Sequence, residues 1–179
     1  MISVLFLSLF LFSCKSPEIK TYHTPKERLK VAVLHKEKEL SWTIPDHWQK
    51  KELTSFRKAS FTIPGPSTDL SADFSITSFP GSAGNLLSNI NRWRHQLELE
   101  PLDYQTMNSS LSTISHSHLD IQFIELKSEK SLLNNSHFKS TFVAFFIFND
   151  ETYFFKLTGE SLLLDKEKML FKNILESLQ

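Results

Sequence analysis

The sequence predicts an α+β domain with a mainly antiparallel sheet and helices packed on it. Three observations carry this. Five or more short stretches show strand-like apolar patterns. Most are separated by only a few turn residues, which suits hairpins rather than crossovers. Two longer stretches, near residues 86–97 and 164–178, repeat their apolar residues at helical spacing. The order strands, helix, strands, helix then places both helices against one sheet.

The totals fit a single domain. There are 179 residues, of which 16 are phenylalanine, so apolar area is plentiful for one core. Lys plus Arg number 20 and Asp plus Glu number 20. That balance lacks the basic excess of a nucleic-acid binder, so no nucleic acid is expected as a partner.

Met1 to Ser13 is apolar apart from its serines and ends at Cys14, the only cysteine. The run is too short to span a bilayer as a helix but suits the apolar part of a secretory signal. Leu11-Phe12-Ser13-Cys14 resembles the lipobox of bacterial lipoproteins, with Leu at −3, a small residue at −1 and the cysteine. The resemblance implies lipidation at Cys14 and a membrane anchor on the periplasmic or outer face of the cell envelope. A plain secretory signal or a buried N-terminal strand is the other reading. Residues 1–13 are thus read as signal peptide, 14–28 as a polar tether with Pro17 and Pro25, and 29–179 as the domain.

Within the domain, Leu29 to Leu34 reads as a first strand, followed by a charged turn over His35 to Glu39. Leu40-Ser41-Trp42-Thr43-Ile44 alternates large apolar and small polar residues, a half-buried strand that Pro45 ends. Phe56 to Ile63 reads as a strand closed by Pro64-Gly65-Pro66, and Ala72 to Phe79 as an alternating strand. Phe79 falls out of step with Phe74 and Ile76, which suggests a bulge near Ser78 or the strand's end.

Next, Phe79 to Gly84 predicts a strand end and a glycine turn opening a helix. Leu86, Ile90, Trp93 and Leu97 share one face of that helix, so Trp93 is expected in the core. Asn89, Arg92 and Gln96 form a polar row beside it, and Arg94 and Glu98 stand at pairing distance. Arg92 and Arg94 lie about 200° apart around the axis and cannot clamp one ligand from the same face. Pro101 stops the helix, and Leu102 to Met107 suggests a short helical turn.

Leu111 to His116 and Leu119 to Leu126 read as a hairpin, and Lys127 to Ser140 as a loop containing Asn134-Asn135-Ser136. Thr141 to Phe148 is almost continuously apolar, hence a central strand covered on both faces. Asn149-Asp150 turns it into a partner strand, Glu151 to Thr158, which Gly159 ends. The last helix spans Leu164 to Leu178, with Leu164, Met169, Phe171, Ile174, Leu175 and Leu178 on its apolar side. Trp42 and Trp48 are expected in the core with Trp93.

Two parts of this pattern resemble known families. Trp42-Thr43-Ile44-Pro45-Asp46-His47-Trp48 is similar to the opening of PsbP/Mog1-like domains. So is the ending, Tyr153 to Gly159 followed by a helix with Phe171 and Ser177-Leu178. The middle, Arg57 to Phe61 with Phe79 to Gly84 and Asn89 to Leu97, resembles an uncharacterised group of bacterial exported proteins. The likeness covers about Leu40 to Leu178. It implies an α/β/α sandwich around an antiparallel sheet and a binding or assembly role, and it carries over no catalytic residue.

Candidate sites are few. Free backbone N–H groups at the Gly81–Gly84 turn suit an anion, although glycines there also serve a tight strand-to-helix turn and close packing. Asn89, Arg92 and Gln96 offer a polar binding row, or a solvated helix face. His116-Ser117-His118 would put two imidazoles on one side of a strand, with Asp120, Glu125 or His137 to complete a metal site. That spacing fixes no second ligand pair, and no metal or cofactor is expected. No Gly-x-Ser-x-Gly elbow, Walker loop, Cys-x-x-Cys or dinucleotide fingerprint is present. The expected function is therefore a lipid-anchored, non-catalytic binding or assembly module with a protein partner. The alternative is a small-ligand receptor or enzyme using the Gly81–Gly84 turn and the Asn89/Arg92/Gln96 helix face.

Overall fold

The computed structural model describes residues 39–54, 56–132 and 137–179. The signal peptide, Cys14, the tether, the strand expected at 29–34 and the loop residues 134–136 lie outside the described residues. Seven strands form one antiparallel sheet: β1 (Gln49–Lys50), β2 (Arg57–Ile63), β3 (Ala72–Pro80), β4 (Ser112–Ile114), β5 (Ile121–Lys127), β6 (Lys139–Phe148) and β7 (Glu151–Glu160). Their order is β1-β2-β3-β7-β6-β5-β4, with every neighbouring pair antiparallel. Three helices pack on the sheet: α1 (Leu86–His95), α2 (Tyr104–Ser110) and α3 (Ser161–Glu176).

The order explains the path. After β3 the chain crosses one face of the sheet through α1 and α2 to the far edge. It then returns strand by strand until β7 slots beside β3. The other face belongs to α3. The expected α+β class holds, with helices on both faces.

Alternation along each strand sorts residues between the two faces. Toward α3 point Ala59 and Ile63 of β2, Phe74 and Ile76 of β3, Phe142, Ala144 and Phe146 of β6, and Tyr153, Phe155 and Leu157 of β7. These meet Leu164, Phe171, Ile174 and Leu175 of α3, and Trp48. Toward α1 and α2 point Ile124 and Leu126 of β5, Val143 of β6 and Phe154 of β7, covered by Ile90, Trp93, Leu97 and Met107. Trp93 is buried, its ring edge-on to Phe154 at 5.7 Å, as its place among Leu86, Ile90 and Leu97 predicts. Asn91 clamps the α1–α2 connection by bonding both backbone groups of Leu102, at 2.8 and 3.0 Å.

Several expectations need correction. Leu40, Trp42 and Ile44 do pack on the α3-side core, but residues 39–45 are no strand of the sheet. Ser41 instead exchanges backbone hydrogen bonds with Gln179, at 3.0 and 3.3 Å. The half-buried pattern was therefore a property of the packing surface, not of a ladder. Gly159 does not end β7 but lies inside it, where a Cβ would sit 2.5 Å from that of Ala72 on β3. Glu160 then caps α3, accepting from the Leu162 and Leu163 N–H groups, so the helix starts three residues earlier than expected. Met169 is 68% exposed rather than on the apolar side. Arg94 does not pair with Glu98, because the helix ends at His95; Arg94 Nε donates to the Glu100 carbonyl at 2.7 Å. The expected turn at Asn149-Asp150 is present, both residues having positive φ (49° and 57°), as a type I′ hairpin requires.

The phase break near Ser78 is not a bulge. β3 and β7 pair without interruption through Ser78 and Phe79. Phe79 simply points to the α1 side. The irregularity lies in β2, where Arg57 pairs with Thr77 but Ala59 pairs with Ile76. One extra residue in β2 turns Arg57 to the face opposite Ala59. Plain alternation would have put both on the α3 side.

Candidate functional site

The helices on the α1 face cover only the β5-β6-β7 half of the sheet. The uncovered half is polar because β2 and β3 alternate: Phe74 and Ile76 serve the α3-side core, so Asp73, Ser75 and Thr77 face the other way. Between this half and the flank of α1 lies a hollow of about 390 Å³. Arg57, Ser75, Thr77, Asn89, Arg92 and Lys156 supply its polar wall. Phe79, Ala83, Trp93 and Phe154 supply the apolar one.

Each cation is placed by a different element. The β2 bulge turns Arg57 inward. Its guanidinium bonds the Ser60 hydroxyl at 2.7 Å and Asp73 at 3.1 and 3.3 Å, so it is held in place. Asp73 also accepts from Lys51 at 2.8 Å. Burial alone would raise the Asp73 pKa, but these cationic donors outweigh it and hold the carboxyl below its usual value. Lys156 sits two residues from Phe154 on central β7 and therefore shares its face. Its pKa is lowered, first by burial. Asp73 works against that shift, while Arg57, Arg92 and Lys139 add to it. Arg92, on the exposed flank of α1, donates to Asn89 Oδ1 at 3.1 Å. Asn89 is fixed in turn by its bond to the Ala83 carbonyl at 3.1 Å. Among the described residues, neither Arg92 nor Lys156 has a carboxylate at ion-pair distance. None of the described residues that line the hollow is acidic.

A second hollow of about 370 Å³ adjoins the first, sharing Asn89 and Phe154. Its walls are mostly apolar, with Leu86, Phe145, Phe146 and Ile147, and it touches Ser82, Gly84, Asp120 and Gln122.

Of the residues singled out from sequence, the fold brings Asn89 and Arg92 into the basic hollow and Gly84 into its neighbour. Gln96 lines neither; it is exposed and caps the end of α1. Gly81 is committed to the turn: its N–H donates to the Asp150 carbonyl at 2.7 Å, and its carbonyl accepts from the Thr152 hydroxyl. Gly81 and Gly84 have φ of +64° and +82°, which glycine adopts without cost. A Cβ at either would meet nothing within 4 Å, so they serve the turn and not close packing. The N-terminus of α1 is capped by its own chain, Asn85 Oδ1 accepting from the Ser88 N–H at 2.9 Å.

The two histidines do not make a metal centre. His116 Nδ1 accepts from the His118 and Leu119 N–H groups, which fixes the tautomer, and Nε2–H donates to the Leu178 carbonyl at 3.0 Å. His116 thus ties the β4–β5 turn to the C-terminus. Among the described residues no group of three His, Cys, Asp or Glu is placed to hold a metal. No helix among them is long and apolar enough to cross a membrane.

No protein-family model matches the chain, and no curated protein matches it. Among solved structures, a protein from Bacteroides thetaiotaomicron is similar over 78% of this chain at 15% identity, with a TM-score of 0.46. The chain spans only 44% of that protein's length. LpqN of Mycobacterium tuberculosis, a protein involved in cell envelope biogenesis, is similar over 78% of this chain and 83% of its own. There the identity is 10% and the TM-score 0.44. These are distant likenesses and assign no family.

Sequence reasoning missed Arg57 and Lys156 as site residues. Lys156 left a trace: it is the one charged residue between Thr152 and Thr158 in an otherwise mostly apolar strand. Arg57 left none, because its direction depends on the bulge.

Proposed function

We propose that the chain is a lipid-anchored protein of the cell envelope, of PsbP/Mog1-like architecture, whose domain binds a small ligand in the hollow beside α1 without transforming it. One observation carries the binding reading. Polar groups from three strands and a helix converge on one concave site whose back wall is aromatic, the arrangement that ligand pockets share. The anchoring rests on Leu11-Phe12-Ser13-Cys14 and the resemblance that it carries.

Both parts are testable. Mass spectrometry of the protein from membranes is expected to find lipid on Cys14, and Cys14→Ser to release the chain unlipidated. A thermal-shift screen against a chemically mixed compound set is expected to give stabilising hits in the wild type. Thr77→Trp, which fills the hollow from its β3 wall, should abolish them. Hits that survive Thr77→Trp unchanged would overturn the site.

A protein partner is the second reading, favoured by the exposed apolar groups at the rim. Phe56 is 72% exposed and stacks on Phe79 at 6.4 Å, and nearby Leu53 is 55% exposed.

A further inference from the structure

We propose that the ligand of this hollow is a small organic anion. Its phosphate or carboxylate group is held by Arg57, Arg92 and Lys156, and its apolar body lies against Phe79, Trp93 and Phe154. This rests on the reading that the hollow binds a ligand, and adds the ligand's chemical class.

Three features point the same way. First, the charge is one-sided: among the described residues, three cations and no acid line the space. Asp73, whose charge reaches Lys156, is engaged by Arg57 and Lys51. That leaves Arg92 and Lys156 without a carboxylate at ion-pair distance among the described residues. Second, the placement costs stability. Burial first, then Arg57 and Arg92, disfavour the charged form of Lys156 against the pull of Asp73, and a bound anion offsets that penalty. Third, the donors are set in advance. Arg57 is locked by Ser60 and Asp73 on a bulged strand, and Arg92 is steadied by Asn89. Preorganised guanidinium groups suit oxyanions, which accept paired N–H bonds from them.

The aromatic wall adds a second requirement. Trp93 and Phe154 meet edge to face at 5.7 Å, and Phe79 meets Phe154 at 6.3 Å. A bare inorganic ion would leave that wall wet, whereas an organic anion covers it.

The test is calorimetric titration of the purified full chain at low salt. The probes are phenyl phosphate, benzoate, inorganic phosphate and the neutral benzyl alcohol. Wild type is compared with Arg92→Ala, Lys156→Met and Thr77→Trp. The expected result is binding of phenyl phosphate or benzoate, the tighter of the two naming the head group. Inorganic phosphate and benzyl alcohol should bind more weakly than either. Arg92→Ala and Lys156→Met should each weaken the anion roughly tenfold or more, the loss expected for one charged hydrogen bond. Added salt should do the same, and Thr77→Trp should abolish binding.

Benzyl alcohol binding as tightly as the anions, with Arg92→Ala and Lys156→Met unchanged, would overturn the anion inference and leave the ligand site standing. Absence of binding by all four probes would also overturn it, while the compound screen decides the site separately. Inorganic phosphate binding as tightly as phenyl phosphate would overturn the organic-anion assignment. Anions binding equally to Thr77→Trp would overturn inference and site together.

Discussion

The two faces of the sheet are built from the same strands and do different work. On the α3 face, strand after strand contributes an aromatic or branched side chain, and Phe74, Phe123 and Phe142 all meet Phe171 at 6.1 Å ring separation. On the α1 face, the buried apolar residues stop at Phe154 of β7; beyond it β2 and β3 carry Ser60, Asp73, Ser75 and Thr77, with Phe79 at one end of β3 and Lys156 alongside on β7. The difference shows how one antiparallel sheet can divide labour. One face is packed for stability, and the other keeps half its area polar, strained by charge and open.

The largest expected effect is on the α3 face. Phe171→Ala removes a fully buried ring from the centre of the aromatic cluster and should cost about 3–5 kcal/mol. That is a large share of the roughly 5–15 kcal/mol such a domain holds. Chemical denaturation measures it. A variant as stable as wild type would erase the contrast between the faces. Trp93→Ala, on the covered half of the other face, should cost about 3 kcal/mol by the same mechanism.

Glu167→Ala comes next. Glu167 of α3 is nearly buried, accepts from buried Trp48 Nε1 at 2.9 Å, and lies 3.0 Å from His47 Nε2. Removing it strands the indole N–H, at a cost of about 1–3 kcal/mol. Glu167→Gln, which keeps an acceptor, should recover much of it. Equal losses in the two variants would mean that the hydrogen bond is not what matters.

Lys156→Met should go the other way. It removes a disfavoured charge from the open half and should raise stability by about 0.5–2 kcal/mol while weakening ligand binding, as substitutions in functional sites commonly do. The native pKa is below 10.5. Between it and 10.5 the unfolded chain binds more protons, so wild-type stability should rise with pH in that window. Lys156→Met should lose that slope. A destabilised Lys156→Met would place the lysine among the structural groups.

The smallest effect concerns Asp73. Its native pKa lies below 3.8, so its contribution is complete above the unfolded value and fades as pH falls through the native one. Because Asp73 is partly solvated, with about a third of its side chain exposed, the contribution should be no more than about 1 kcal/mol. Asp73→Asn should flatten the melting-temperature profile below pH 4 or so. An unchanged acid limb would show that the Lys51–Asp73–Arg57 group adds nothing to stability.

Much of the fold was legible in the sequence. β3 alternated, β6 was continuously apolar, and α1 carried Leu86, Ile90 and Trp93 at helical spacing; each local period survived because burial enforced it. Leu40 to Ile44 misled because an extended segment packing on a core shows the same alternation as a strand. Its hydrogen bonds go to Gln179, far along the chain. The site was half legible. Asn89 and Arg92 belong to one helix, and helical spacing puts them side by side. Arg57 and Lys156 stand 99 positions apart in the sequence, on strands joined only through β3.

The sequence by itself determined the α+β class, the antiparallel hairpins, the buried side of α1 and the hairpin turn at Asn149-Asp150. These follow from residue periodicity and local backbone preference, which act within a few residues. Only the tertiary structure decided that β7 returns to lie beside β3, that one extra residue in β2 turns Arg57 to the α1 face, and that α1 leaves the β2–β3 half uncovered. Those outcomes depend on strand order and register. Both are set by contacts between distant segments, and a one-residue change in register moves a side chain to the opposite face of the sheet.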